Sequence, residues 1–409
     1  MRKKILFVIN TFSRAGAEMA LLDLLRKLDE MNEEHGNRKY DISLLVLMGQ
    51  GELVSQLPES VRLVNKKYCS DPVLEARGKR HMTGTVLHAL LRRGTGFRLA
   101  PYMVRAYRAM RKGAHVQYDK LLWRALSDGA PRQDVTYDLA VAFLEGGSAY
   151  YVADHVKAKK KAAFIHIDYE KAGYTRELDR DCYLKYDALF PIGEQVRNQF
   201  VKVYPECAKR TRIFHNVINV DKIRERAKES GGFSDSYAGI RILTVGRLTE
   251  QKAYPVAIEA MHLLKQRGVD ARWYVLGDGP ERKKLEKQIA EDGLQEDFLL
   301  LGASENPYPY FAQTDIYVHA TGFEGKSIAI QEAQVLGCAI VASEINWEQI
   351  NQDVDGLLCV LDAKAIMEAV LDLIENPDKR KRLGEAALQK TVSFTEDIQL
   401  LDQLLDGEQ

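Results

Sequence analysis

The chain has 409 residues, 46% of them hydrophobic and 28% charged, with 58 Lys and Arg against 58 Asp and Glu. That length exceeds what one hydrophobic core usually serves, so two domains are expected, and the composition excludes a disordered or collagen-like chain. The zero net charge removes any overall attraction to nucleic acid, and the scattered Cys69, Cys182, Cys207, Cys338 and Cys359 form no CxxC pair, which argues against a disulfide framework or structural zinc and for a reducing cytoplasm.

The opening MRKKILFVIN starts with basic residues as a signal peptide does. Its apolar run is short, however, and reaches Asn10, Ser13 and Arg14 with no small-residue cleavage site, so it reads as a first strand. Apolar runs follow at Tyr40 to Met48, Asp138 to Phe143, Ala162 to Ile167 and Ala188 to Ile192, with helical patterns such as Ala17 to Leu28 between them. Strands of this kind alternating with amphipathic helices predict a parallel sheet covered on both faces. After the polar stretch Arg224 to Gly239 the series restarts with Arg241 to Val245, Trp273 to Leu276, Phe298 to Leu301, Ile316 to His319, Ala339 to Ala342 and Gly356 to Val360. A restart after a linker favours two similar α/β domains, each Rossmann-like, over one long sheet. No apolar stretch is long enough to predict a transmembrane helix.

The first half is interrupted at about residues 66–125, where Lys66 to Arg124 carries fourteen Lys and Arg against Asp71, Glu75 and Asp119. Apolar residues such as Leu87, Leu90, Leu91, Phe97, Tyr102, Val104 and Tyr107 are interspersed. Two readings stand for this basic helical insertion: a surface for anionic lipid headgroups or a lipid-linked acceptor, and a solvated helix pair packed on the domain.

Four segments carry candidate chemistry. The loop Asn10 to Glu18 runs from the first strand into a helix, and Gly16 there lets backbone approach a phosphate or sugar; an ordinary turn also accounts for it, since the full dinucleotide GxGxxG is missing. At a later strand end, Arg247 and Lys252 are placed to neutralise a diphosphate, although loop cations are commonly just solvated. Gly277, in Leu276-Gly277-Asp278-Gly279-Pro280, fits close backbone approach or a plain turn. In Phe323 to Ala333, Gly325 leads into a helix whose first amides, near Lys326, Ser327 and Ile328, suit an anion. Glu324 precedes that helix and Glu332 lies about two turns inside it, a spacing that matches an elongated ligand such as a nucleotide sugar.

In this order and spacing the segments resemble the retaining glycosyltransferases of family four, whose pattern is a glutamate, seven residues and a second glutamate, as in Glu324 and Glu332. The resemblance covers most of the chain and implies a GT-B fold: two Rossmann-like domains with parallel sheets facing a central cleft. The expected boundaries are 1–220 for an acceptor-binding domain, 221–390 for a donor-binding domain, and 391–409 for a helix, about Phe394 to Leu405, that crosses back to the first domain. It further implies that Gly16 lies beside the donor phosphates, that Arg247 and Lys252 hold the diphosphate, that Glu332 binds the ribose and that Glu324 meets the donor sugar. Backbone from Gly325 to Ile328 would meet sugar and diphosphate, and His166 is similar to the family histidine that approaches the donor sugar; a satisfied structural imidazole is the other reading of His166. The chain departs from the family at Ala253, where glycine is frequent, and at Lys326-Ser327, with Lys326 read either as a phosphate contact or as an exposed cation.

The implied reaction moves a hexose or N-acetylhexosamine from a nucleotide diphosphate sugar, UDP by family frequency, to a glycan or lipid-linked acceptor in cell-surface polysaccharide synthesis. It retains anomeric configuration through a front-face step and needs no protein nucleophile. No cofactor or metal is expected, and no DxD-type acidic cluster is placed for a metal. The expected place is the cytoplasm, or the inner face of the membrane if the basic insertion binds it. The rival readings are a nucleotide-sugar epimerase or hydrolase on the same fold and a non-catalytic nucleotide-sugar-binding subunit. A nicotinamide dehydrogenase fits less well because its phosphate fingerprint is missing.

Overall fold

The computed structural model describes residues 2–34, 39–72, 76–111, 118–390 and 392–407. They form two units, Met1–Val217 with Phe394–Gln409, and Ile218–Ser393.

The first unit holds a six-stranded sheet of β1 (Lys3–Ile9), β2 (Tyr40–Val46), β3 (Arg62–Leu63), β4 (Thr136–Ala142), β5 (Lys157–Ile165) and β6 (Ala188–Pro191). Its order is β3-β2-β1-β4-β5-β6, all parallel. The run Ile5 to Ile9 is fully buried, as a strand covered on both faces requires. Helix α1 (Gly16–Glu34) follows β1. The basic insertion begins with non-helical residues 66–72 and is then helical: α2 (Ala76–Leu91), α3 (Thr95–Met110) and α4 (Tyr118–Gly129), while its residues 73–75 and 112–117 lie outside the described residues. Helix α5 (Gly147–His155) joins β4 to β5. The segment returning at Phe394 forms a short 3-10 turn, Thr395–Ile398, and the helix Gln399–Asp406. It is tied to the first unit by Asp397, which accepts from the His215 amide at 2.7 Å and from its Nδ1 at 2.8 Å.

The second unit repeats the plan with β7 (Ile240–Val245), β8 (Ala271–Leu276), β9 (Phe298–Gly302), β10 (Ile316–His319), β11 (Ala339–Ser343) and β12 (Leu357–Cys359), ordered β12-β11-β10-β7-β8-β9 and all parallel. Strand residues alternate between two cores because the side-chain period is two. Ile242, Trp273, Val275, Ile316 and Val318 pack on one face, and Leu243, Tyr274, Leu276 and Tyr317 on the other.

Numbered within its own unit, each sheet runs 3-2-1-4-5-6, the doubly wound order whose direction reverses between the first and fourth strands. Loops at the carboxyl ends of those strands border a crevice where such sheets take ligands. The pairs are β1 with β4 and β7 with β10.

Candidate active site

At the switch point of the second unit, the loop after β7 is fastened to the loop after β10. Gln251 carries most of this. Its carbonyl accepts from the Gly322 amide at 2.9 Å and from the Thr321 hydroxyl at 3.1 Å, and its Nε2 donates to the Phe323 carbonyl at 2.6 Å. Lys252 then reaches Glu324, Nζ to Oε1 at 2.6 Å, with side chains only 15% and 17% exposed. The other carboxylate oxygen, Oε2, lies 2.6 Å from His319 Nε2. An ionised carboxylate only accepts, so Nε2 carries the proton, and Nδ1 accepts from the Tyr317 hydroxyl at 3.0 Å. Tyr317 and His319 can meet in this way because residues two apart on β10 share a face.

Charge within the group is strongly coupled. Burial works to raise the Glu324 carboxyl, but Lys252 and His319 outweigh it and hold its pKa at about 2. Burial first, and then the charge of Lys252, push the His319 imidazole below its ordinary value against the pull of Glu324. The Tyr317 phenol is raised by burial and then by the charges of both Glu324 and Glu332. Glu332 sits on the helix Ile328–Val335 and accepts from the Tyr308 hydroxyl at 3.1 Å.

Backbone geometry serves the same loops. A Cβ at Gly277, whose φ is 150°, would lie 1.9 Å from the Gly246 carbonyl oxygen, so only glycine lets the loops after β7 and β8 approach this closely. Ala253, directly after Lys252, is held in the left-handed region at φ 44°, a conformation that costs a residue with a Cβ roughly 1 kcal/mol. Arg247 is exposed on the loop after β7. Ser327 differs from the sequence expectation of open amides at the helix start. Its amide donates to Gln349 Oε1 at 2.6 Å and its carbonyl accepts from Gln349 Nε2 at 2.8 Å, so this residue is already held by protein. Gly325, Lys326 and Ile328 flank it, each half-buried.

The switch point of the first unit is built differently. Asn10, at the end of β1, donates from Nδ2 to the Glu145 carbonyl at 3.0 Å and accepts from the Ser148 amide at 2.8 Å. The Glu145 carboxylate, buried beyond β4, accepts from the amides of His166 and, at 3.1 Å, Ile167. Burial raises its pKa above the ordinary value. The His166 ring lies 5.0 Å from that of Phe143, and burial lowers its pKa to about 4, so it is neutral near pH 7. Its Nε2 is buried and has no hydrogen-bond partner among the described residues. Gly16 is exposed as the first residue of α1. Around it, the Arg14 amide donates to Glu52 at 2.9 Å and the Thr11 hydroxyl to Glu18 at 3.1 Å.

Within the second unit, then, Lys252 and Glu324 are brought together after β7 and β10, Glu332 lies on the helix that follows and bonds Tyr308, and Gly277 packs against the loop after β7. Sequence reasoning missed His319, Tyr317, Gln251 and Tyr308 there, and Asn10 and Glu145 in the first unit. The polar residue two positions after Tyr317 was the available signal for His319. The mixed cluster Asp128, Asp154 and His155 elsewhere in the first unit has metal-ligand types. Its carboxylates are bound instead by Arg124, Arg180, Lys185 and His155, which makes it an ion-pair network.

Residues 236–390 match the family model described as glycosyl transferases group 1. The amylovoran biosynthesis glycosyltransferase AmsK of Erwinia amylovora is 35% identical over 233 residues, 53% of this chain and 56% of the relative. The N-acetylgalactosamine-N,N'-diacetylbacillosaminyl-diphospho-undecaprenol 4-alpha-N-acetylgalactosaminyltransferase of Campylobacter jejuni is 29% identical over 216 residues, 52% of this chain and 57% of the relative. The chain thus spans little more than half the length of these curated relatives. Among solved structures, Anabaena HepE in complex with UDP and glucose aligns with a TM-score of 0.65 at 16% identity, covering 99% of this chain and 100% of that one. The crystal structure of TarM aligns at 0.67 with 11% identity, covering 99% of each. At such identities the likeness carries the fold, which is GT-B. Through residues 236–390, this chain is similar to the glycosyl transferases group 1 family.

Proposed function

We propose that the protein is a retaining glycosyltransferase that moves a hexose or N-acetylhexosamine from a nucleoside diphosphate sugar, UDP-linked, to a glycan or lipid-linked acceptor in cell-surface polysaccharide synthesis. The observation that carries this reading is the group at the second switch point: a lysine and a glutamate locked together at 2.6 Å, with a second glutamate on the helix that follows, inside the segment that matches the family. The names of the curated relatives support polysaccharide and lipid-diphosphate acceptors, and the UDP bound by HepE supports the base.

In this reading Glu332 takes the ribose hydroxyls, Arg247 and Lys252 take the diphosphate, and Glu324 holds Lys252 while meeting the donor sugar. Gly277 and the backbone about Gly325, Lys326 and Ile328 line the same ligand. In the first unit, Gly16 takes the donor phosphates and His166 approaches the donor sugar. The bond from the anomeric carbon to the diphosphate breaks as the acceptor oxygen bonds that carbon on the same face. The acceptor proton passes to the departing phosphate oxygen. The cations supply the charge stabilisation, so no metal is required. The protein works in the cytoplasm, with its basic insertion against an anionic membrane.

The test is a donor screen for released nucleotide, run with soluble and lipid-linked acceptors and repeated in EDTA. Transfer to an acceptor is expected, with Lys252→Ala and Glu324→Ala each lowering it by about a hundredfold or more while the circular dichroism spectrum is unchanged. Near-normal turnover in both variants would refute the site assignment. Donor consumption without a glycosylated acceptor would instead identify an epimerase or hydrolase.

A further inference from the structure

Helix α3 has apolar residues on both of its sides. Thr95, Leu99 and Tyr102 recur at helical spacing on the inner side: Thr95 and Leu99 are buried, and the Tyr102 hydroxyl accepts from Arg180 at 2.8 Å. Phe97, Met103, Val104 and Tyr107 form a second stripe that faces solvent, and Leu87 and Leu91, one turn apart at the end of α2, are exposed as well. Phe97 at 88% and Leu91 at 82% are the most exposed large hydrophobic side chains among the described residues; the other four are about half exposed. An ordinary surface helix turns its one apolar stripe inward, so a second stripe in water marks a surface that something covers.

Charge selects the occupant. From Ala76 to Arg111 the sequence has nine Lys and Arg and no Asp or Glu, in a chain whose net charge is zero. Arg77, Lys79, Arg80, Arg108 and Arg111 are exposed. An exposed apolar stripe within a segment whose own charges are all positive suits a bilayer with anionic headgroups, where the stripe enters the acyl boundary and the cations meet phosphate. A second copy presenting the same face would set the exposed Arg77, Lys79, Arg80, Arg108 and Arg111 against like charges. No described helix is long and apolar enough to cross a membrane, so the segment lies on the surface.

We propose that α2 and α3 form a membrane-docking face that inserts Leu87, Leu91, Phe97, Val104 and Tyr107 into an anionic bilayer and anchors with the flanking cations. This deepens the membrane contact named above, on which it rests, and is independent of sugar transfer. It is tested without nucleotide sugar, using the full chain and vesicles of phosphatidylcholine with or without roughly one third phosphatidylglycerol. The wild-type chain is expected to float with the anionic vesicles at least about tenfold better than with neutral ones, and Lys79→Gln/Arg80→Gln/Arg108→Gln to lose roughly a hundredfold. Phe97→Ser/Val104→Ser/Tyr107→Ser is expected to lose about tenfold or more, and low salt is not expected to restore it. Equal flotation with both vesicles, or an apolar variant that binds like wild type, overturns the proposal. Self-association lost in the apolar variant, without vesicle binding, overturns it in favour of paired copies. Failure of flotation alongside transfer to a soluble acceptor removes this inference and leaves the transferase reading standing; flotation without transfer does the reverse.

Discussion

The two switch points share a strand order and differ in what fills them. Between β7 and β10, side chains hold side chains: Lys252, Glu324, His319 and Tyr317 form one chain of contacts in which each member fixes the charge or tautomer of the next. Between β1 and β4, side chains hold backbone: Asn10 and Glu145 clamp the amides and carbonyls of neighbouring loops, and the imidazole beside them is neutral. One plan has been used for a centre of charge and for a centre of shape. A doubly wound sheet permits this because strand order decides where loops converge and says nothing of their contents.

The sharpest way to break the contrast is to interrupt the charged chain in the middle. His319→Phe takes a hydrogen-bond donor from Glu324 and leaves the buried Tyr317 hydroxyl without its acceptor. Turnover is expected to fall about ten- to hundredfold through kcat, with KM changed less, because remote orientation of a charged group has effects of this size. Tyr317→Phe in the same chain should restore stability, since the stranded hydroxyl is then gone, without restoring kcat. Wild-type kcat in His319→Phe would mean that Glu324 is held by Lys252 alone.

The backbone clamp should respond to shape and be indifferent to charge. Glu145→Ala leaves the amides of His166 and Ile167 without their acceptor and is expected to cost about 2 to 4 kcal/mol in denaturant unfolding of the first unit. Glu145→Gln keeps an acceptor oxygen in place, and burial already disfavours the charged form, so its cost should stay below about 1 kcal/mol. Equal losses in the two variants would show that the charge of Glu145 matters as much as its oxygen.

The difference between these centres also explains what could be read in advance. Strands showed clearly where apolar runs are unbroken, as in β10, whose bounds Ile316 and His319 are those expected. β5 begins at Lys157, ahead of the expected Ala162, because its first half is KAKKK. Lysines that extend their ends to water can line a strand whose backbone is fully paired, and hydropathy alone does not register it. The two-residue β3 was not legible at all, being too short for any period. Glu324 stood out as a charge beside Gly325 and Lys252 as one of two cations at a strand end, whereas His319 read only as the last residue of a strand. Glu145 was hidden in a Glu-Gly-Gly turn, since its partner amides lie 21 and 22 residues further on and carry no side-chain signature. Contacts to backbone leave little trace in sequence, and the shape centre is made of them.

The smallest expected effect separates the two centres by pH. Folded His166 has a pKa of about 4, below its ordinary 6.5, so between those values the unfolded chain binds a proton that the folded chain does not, and stability falls as pH falls. Folded Glu324, at about 2 against an ordinary 4.5, gives the same sign in a lower window, with its contribution intact above 4.5 and lost toward 2. Each slope is at most about 1.4 kcal/mol per pH unit. In the wild-type first unit the His166 slope is opposed by Asp179, which burial raises to about 7 and which therefore favours the folded state as pH falls, and by Glu145, raised in the same direction. Subtraction isolates the wanted group. Unfolding free energies from hydrogen exchange, wild type minus His166→Phe, should slope between pH 6.5 and 4 in first-unit amides alone. His319→Phe minus His319→Phe/Glu324→Gln, a pair in which no imidazole titrates against Glu324, should be flat there and slope only below 4.5, in second-unit amides. Overlapping windows would mean that the imidazole in the first unit is not desolvated by its surroundings, and the division into a charge centre and a shape centre would no longer hold.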